Sequence, residues 1–280
     1  MCYRQVIHKN HIFCLYSYLD MADLNMASNY LLYECNNFLL LDKPHNMPTV
    51  PLKTQDIEGT LLEQAALLCP AVLEVKGKNP WEGGALHRLD TATAGLVLFA
   101  KTQSFYNYMQ ESQKNNLFEK YYLASTFKND SLKGYDIEEK AGNLVISSYF
   151  RPYGPKSKEV RPTLDINKAR PKILYTTSLL REENLFCCTI TKGFRHQLRA
   201  HLAWTGHPII GDSLYANLQV KGEPVESLEP LQLECVGVSF PMQEEGKKRF
   251  YVFRKRAYSD LVFPSLSRFA NKGGNVIIQL

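Results

Sequence analysis

The stretch Gly83-Gly84-Ala85-Leu86-His87-Arg88-Leu89-Asp90-Thr91-Ala92-Thr93-Ala94-Gly95-Leu96-Val97-Leu98-Phe99-Ala100-Lys101 constrains this chain most. From Gly95 to Ala100 it is an apolar run of strand length, rich in β-formers, and predicts a buried strand. The half before it is polar, with Arg88 and Asp90 close together. An acid just ahead of a core strand sits on a loop braced by a rigid element, the usual way a reactive group is placed. The bland alternative is that Asp90 caps a turn with its side chain, and for a lone Asp that reading is the better one.

At 280 residues the chain can bury a full core. Its net charge of +5 permits a polyanionic partner without requiring one. The 7 cysteines include no C-x-x-C, only the adjacent pair Cys187-Cys188. That usage fits reduced thiols in a cytoplasmic protein, not a disulfide framework or a zinc site. No apolar run is long enough to span a bilayer, so no membrane association is expected.

Residues 1–27 show no clean period, and no cleavage site follows their short apolar segment. They read either as a loosely held extension or as the result of an early start, Met21 and Met26 lying just before the first convincing strand. Residues 31–34 and 38–43 predict strands around a turn at 35–37. Lys43-Pro44-His45-Asn46-Met47-Pro48 is a rigid turn in which Asn46 can take a left-handed conformation. A helix is predicted over 60–69, capped by Thr60 or Gly59 and stopped by Pro70. A second is predicted over 102–115, its aromatics Phe105, Tyr106 and Tyr108 spaced for a core. Residues 118–127 read as an aromatic strand in which Tyr121 and Tyr122 face opposite ways. Residues 151–172 read as a long basic loop, either a solvated face or a phosphate-binding segment.

Strands are expected over 173–180 and 185–191, then a helix over 195–205 closed by Gly206. His196 and His201 on that helix would diverge by about 140°, which speaks against a shared metal. Further strands are expected over 228–240 and 247–256, with a weakly patterned tail from 265 to 280. The organisation is thus an extension (1–27), one patterned domain (28–264) and a tail (265–280).

Several of these segments share one further property. Lys43-Pro44, the string His87-Arg88-Leu89-Asp90 with Thr93 and Gly95, Lys120 with Tyr122 and Ala124, and His196-Gln197-Leu198-Arg199 followed by Gly206-His207-Pro208-Ile209-Ile210-Gly211-Asp212 occur in this order. The set resembles the motifs of the RluA-type pseudouridine synthases. That resemblance implies an α+β fold: a bent, mixed, mostly antiparallel sheet flanked by helices, with a central catalytic cleft. It implies isomerisation of uridine to pseudouridine in ribosomal or transfer RNA by a monomer, without cofactor or metal. Asp90, Tyr122 and Arg199 then become the catalytic residues, Arg199 pairing bidentately with Asp90. Arg88, His87, Lys120, Arg195 and His196 become candidate RNA contacts, Arg88 as the side chain that fills the space left by the displaced base. The chain departs from the pattern at Asn46, Ala94, Phe194-Arg195 and Glu234. Two other classes remain: an RNA-binding protein without turnover, and a metal-dependent nuclease, against which the lack of clustered carboxylates speaks.

Overall fold

In the computed structural model, residues 26–52, 56–127, 137–140, 143–216, 230–242, 249–253 and 276–279 are described. Leu31–Glu34 (β1) and Phe38–Lys43 (β2) pair antiparallel around the expected turn. Asn46 has a φ of 61°, the left-handed conformation that Asn tolerates best after Gly. Thr60 caps α1 (Leu61–Leu68) by accepting from the Glu63 N–H, and Glu63 in turn accepts from the Gly59 N–H. Pro70 ends α1 but opens one more turn, α2 (Ala71–Glu74), which the sequence pattern did not reveal. With φ at −55°, Pro70 is already set for a helix start, where its missing N–H is no loss.

Ala94–Ala100 (β3) is buried at every position and pairs with β2. Thr102 caps α3 (Gln103–Lys114), which lays Phe105, Tyr106 and Met109 into the core. Along Glu119–Ser125 (β4) the faces alternate. Tyr122 joins the main core, and Tyr121 packs on the other face with Val236, Tyr251 and Phe253.

The basic segment expected to be a long loop is in part a hairpin. Asn143–Tyr153 (β6) pairs first with Ile137–Lys140 (β5) and then, across a 3-10 turn at Pro155–Ser157, with Glu159–Thr163 (β7). Pro152 and Pro162 masked it, since proline argues against a strand. An edge strand such as β7 tolerates proline because one side of its backbone has no ladder to complete. Tyr153 holds the hairpin's cations, with the Arg161 guanidinium carbon 3.3 Å and that of Arg151 5.4 Å from its ring centre.

Tyr175–Glu182 (β8) and Leu185–Ile190 (β9) meet at a turn of only Glu183 and Asn184, tighter than expected because Glu183 takes a φ of 51°. The next helix, α4, spans Gln197–Trp204 and does not begin at Arg195 as expected. His196 has a φ of 54°, which no right-handed helix can include. Its end is as predicted: Gly206 has a φ of 89° and donates to Ala203 O, while the His207 N–H donates to Leu202 O.

Leu233–Pro241 (β10), Arg249–Phe253 (β11) and Val276–Gln279 (β12) complete the described strands. The sheet runs β1-β2-β3-β10-β4-β9-β8-β6-β5, with β7 on β6 and β11-β12 branching from β10. It is mixed and mostly antiparallel. Among the described strands, β3–β10 and β11–β12 are parallel. β10 exchanges one neighbour for another along its length: β3 beside Glu234 and Cys235, β11 from Gly237 onwards. Gly95 permits the first contact, because a Cβ there would meet the Cys235 backbone oxygen at 2.2 Å.

β12 lies within the expected tail, yet it adds a strand to the sheet. Of the expected extension, residues 1–25 lie outside the described residues, and Ala27 is fully buried.

Candidate active site

The loop carrying Asp90 is tied down on both sides. Thr49 Oγ1 donates to Leu89 O and accepts from the Leu89 N–H, each at 3.0 Å. The Lys43 ammonium, wholly buried at the end of β2, donates to Pro44 O (2.9 Å), Met47 O (2.7 Å) and Thr91 O (3.0 Å). Burial pulls its pKa down to about 8 against the opposing pull of the Asp90 charge. His45 Nδ1 donates to Ala92 O at 2.8 Å, and the Thr93 N–H closes the turn on Asp90 O at 2.9 Å. The Lys43-Pro44 turn is therefore a clamp for the Asp90 loop, and this is the physical use of that motif.

Within the loop, the Asp90 side chain is 27% exposed and lies 3.9 Å from Arg199 Nη1. The bidentate pair expected between these two residues is made elsewhere. Arg199 Nε donates to Asp212 Oδ2 at 2.8 Å and Nη2 donates to Oδ1 at 2.7 Å. Asp212 is fully buried, and its Oδ1 also accepts from the N–H groups of Leu214 (3.0 Å) and Tyr215 (3.1 Å). Burial works against the Arg199 charge, and the Asp212 bonds together with the Asp212 and Asp90 charges outweigh it, so the guanidinium pKa is raised. The Tyr215 ring lies 5.3 Å from the guanidinium carbon, and its hydroxyl accepts from the Val160 N–H at 3.0 Å and meets His196 Nδ1 at 3.1 Å. The sequence reading misses Asp212 as a site residue, although it closes the last of the four motifs. Two signals were available: an acid directly after a glycine, and a tyrosine three positions on.

Tyr122 is buried on β4 between Cys235 of β10 and Cys188 of β9, its register partners on either side. Burial raises its phenol well above the ordinary value, helped by Cys235 and Asp90. At neutral pH it is a neutral phenol buried within the sheet.

The expected RNA contacts divide. Lys120 is a core cation: it donates to Thr191 O at 3.0 Å, lies 4.6 Å from the Phe118 ring centre, and burial lowers its pKa to about 8. His87 is turned inward, Nε2 accepting from the Leu98 N–H at 3.3 Å and the ring meeting Phe118 edge-on. Burial, then the Lys120 charge, lowers its pKa to about 3. Both side chains are directed inward for one reason: the strand and pre-strand positions that carry them face the core. Arg88 is exposed and pairs with Glu82 Oε1 at 2.9 Å. Arg195 is exposed and donates to the carbonyls of Ser157 and Glu159 on the β6–β7 hairpin. His196 is half-buried; burial lowers its pKa, with Asp90 opposing and Arg199 and Arg195 adding to the shift. His201 faces another environment, between Ser148 Oγ (2.9 Å) and Thr177 Oγ1 (2.8 Å). Among the described residues, no group of three or more His, Cys, Asp or Glu side chains could hold a metal ion.

A mixed open sheet, a part-exposed carboxylate 3.9 Å from an arginine locked by a second acid, and a buried phenol within reach of that carboxylate's charge define a class of sites built on one carboxylate. The family described as RNA pseudouridylate synthase matches residues 37–204, and the chain belongs to it. It is 28% identical over 214 residues to the dual-specificity RNA pseudouridine synthase RluA of Vibrio cholerae, covering 75% of this chain and 76% of that protein. An uncharacterized RNA pseudouridine synthase of Mycoplasma pneumoniae is 29% identical over 66% of this chain and 54% of its own length. The ribosomal large subunit pseudouridine synthase D of Blochmanniella floridana is 26% identical over 70% and 56%. The match thus spans only a little over half the length of the latter two. Among solved structures, human RNA pseudouridylate synthase domain containing 1 shares the fold, with a TM-score of 0.58, 18% identity and coverage of 87% of this chain and 95% of that one.

Proposed function

We propose that this chain converts uridine in RNA to pseudouridine, with Asp90 as the working carboxylate. The observation that carries the reading is the setting of Asp90: part exposed, on a loop clamped by Lys43 and Thr49, with Arg199 Nη1 at 3.9 Å. The N1–C1′ bond breaks, a C5–C1′ bond forms, C5 loses a proton and N1 gains one. No electrons are exchanged overall, so the reaction itself asks for no redox cofactor. A carboxylate suits the sugar end of this exchange, either as nucleophile at C1′ or as the base that starts glycal formation at C2′. Arg199 steadies the charge of Asp90. Tyr122 gives the uracil an aromatic wall; as a neutral phenol it can take the C5 proton only while passing its own on. The acting unit in this reading is a monomer.

The RNA is ribosomal or transfer RNA, bound by exposed cations that include Arg88 and Arg195, with Arg88 taking the place of the displaced base. RNA carrying tritium at uridine C5 tests the activity: the wild type releases the label, and Asp90→Asn releases none while still binding RNA. Label release by that variant above contamination would rule the assignment out. Mapping the uridines that lose modification in cells lacking the protein identifies the target.

A further inference from the structure

Asp212 is not among the residues assigned above to meet the substrate, yet its carboxylate is committed on every side. Oδ2 accepts from Arg199 Nε, and Oδ1 from Arg199 Nη2 and from the N–H groups of Leu214 and Tyr215. A residue that only capped the turn at 212–216 would need the two backbone donors alone. The two arginine bonds fix the guanidinium plane and leave Nη1 directed at Asp90. We infer that Asp212 is a positioning residue of the active site: it orients Arg199 and compensates part of its charge, so that Asp90 meets one nitrogen of a half-neutralised cation. The inference rests on Asp90 being the working carboxylate. A carboxylate gripped by a full arginine fork has both oxygens engaged and is a poor nucleophile. One that faces a single nitrogen at 3.9 Å keeps an oxygen free for the sugar.

The other groups around this pair are Lys43 from β2, Tyr122 from β4, His196 and Arg195 before α4, and Tyr215 beside the guanidinium. Asp212→Asn keeps the shape and the Oδ1 acceptor but removes the charge. In single-turnover label release its rate should fall about 100-fold, with KM little changed, as for a misplaced reacting group. The loss should fall on the single-turnover rate and leave RNA binding unchanged. A rate near wild type, or a loss that falls on RNA binding, overturns the inference.

Arg199→Gln and the double variant Arg199→Gln/Asp212→Asn serve where the single Asp212 variant folds poorly, since the double variant leaves no buried charge unpaired. If Asp212 acts through Arg199, the double variant is no slower than Arg199→Gln. A further loss as large as that in the wild-type background would mean an independent role and end the proposal. Asp90→Asn separates the two levels: turnover by it removes the reading beneath, whereas an inactive Asp90→Asn with a normal Asp212→Asn removes this inference alone.

Discussion

Arg199 serves two acids with one guanidinium, and this divides its importance between stability and chemistry. Removing it leaves Asp212 fully buried without a counter-charge, which typically costs about 3–5 kcal/mol. Arg199→Ala is therefore expected to lower the unfolding free energy by that order in a urea titration, besides losing activity. A change under about 1 kcal/mol would show that the pair does not anchor the fold. His201 gives the second expectation. Burial between Ser148 and Thr177 holds its pKa at about 3, whereas an unfolded histidine titrates near 6.5. Between those values the unfolded chain binds the extra proton. The His201 contribution is thus complete above pH 6.5 and is lost as pH falls toward 3, by about 1.4 kcal/mol per pH unit. His87 acts in the same sense. His201→Asn should reduce the slope of stability against pH by about one proton over pH 4–6. An identical slope in the two proteins would mean that His201 is not held neutral in the fold.

The elements that local chemistry specifies stand where the sequence put them. Thr60 and Thr102 each accept an N–H at the head of a helix, and Gly206 closes α4 with a left-handed residue. Thr102→Ala should cost about 1 kcal/mol in thermal or urea unfolding and leave label release unchanged, since the Thr102 side chain bonds only within the first turn of α3. A loss of activity at full folding would show that α3 is coupled to the site. Where local signals misled, tertiary pairing had overruled them. β7 pairs through Pro162 because it needs only one ladder, and His196 leaves the helical region while its ring meets Tyr215. The tail strand β12 is four residues long and has no local reason to form apart from β11.

At the scale of the molecule, the net charge of +5 is mild, so RNA affinity must come from local placement of cations. Lys156 and Lys158 are exposed at the tip of the β6–β7 hairpin, to which Arg195 is bonded next to α4. Replacing both with Gln should reduce the slope of log K against log salt by up to about 1.4 and leave the melting temperature within error. An unchanged slope would mean that the hairpin is a solvated face. By itself the sequence determined the buried strand after Asp90, the start of the first helix to within Gly59 or Thr60, the opposed faces of Tyr121 and Tyr122, and the motifs that place the chain in its family. These are properties of neighbours along the chain, set by periodicity, turn chemistry and residue type. Only the tertiary structure decided which acid holds Arg199, that Lys120 and His87 face inward, and that β10 passes from β3 to β11. Those outcomes depend on which groups the assembled sheet brings together, from 13 positions apart for Arg199 and Asp212 to more than a hundred for β10 against β3 and β4, and burial keeps a charge only where its partners offset the desolvation.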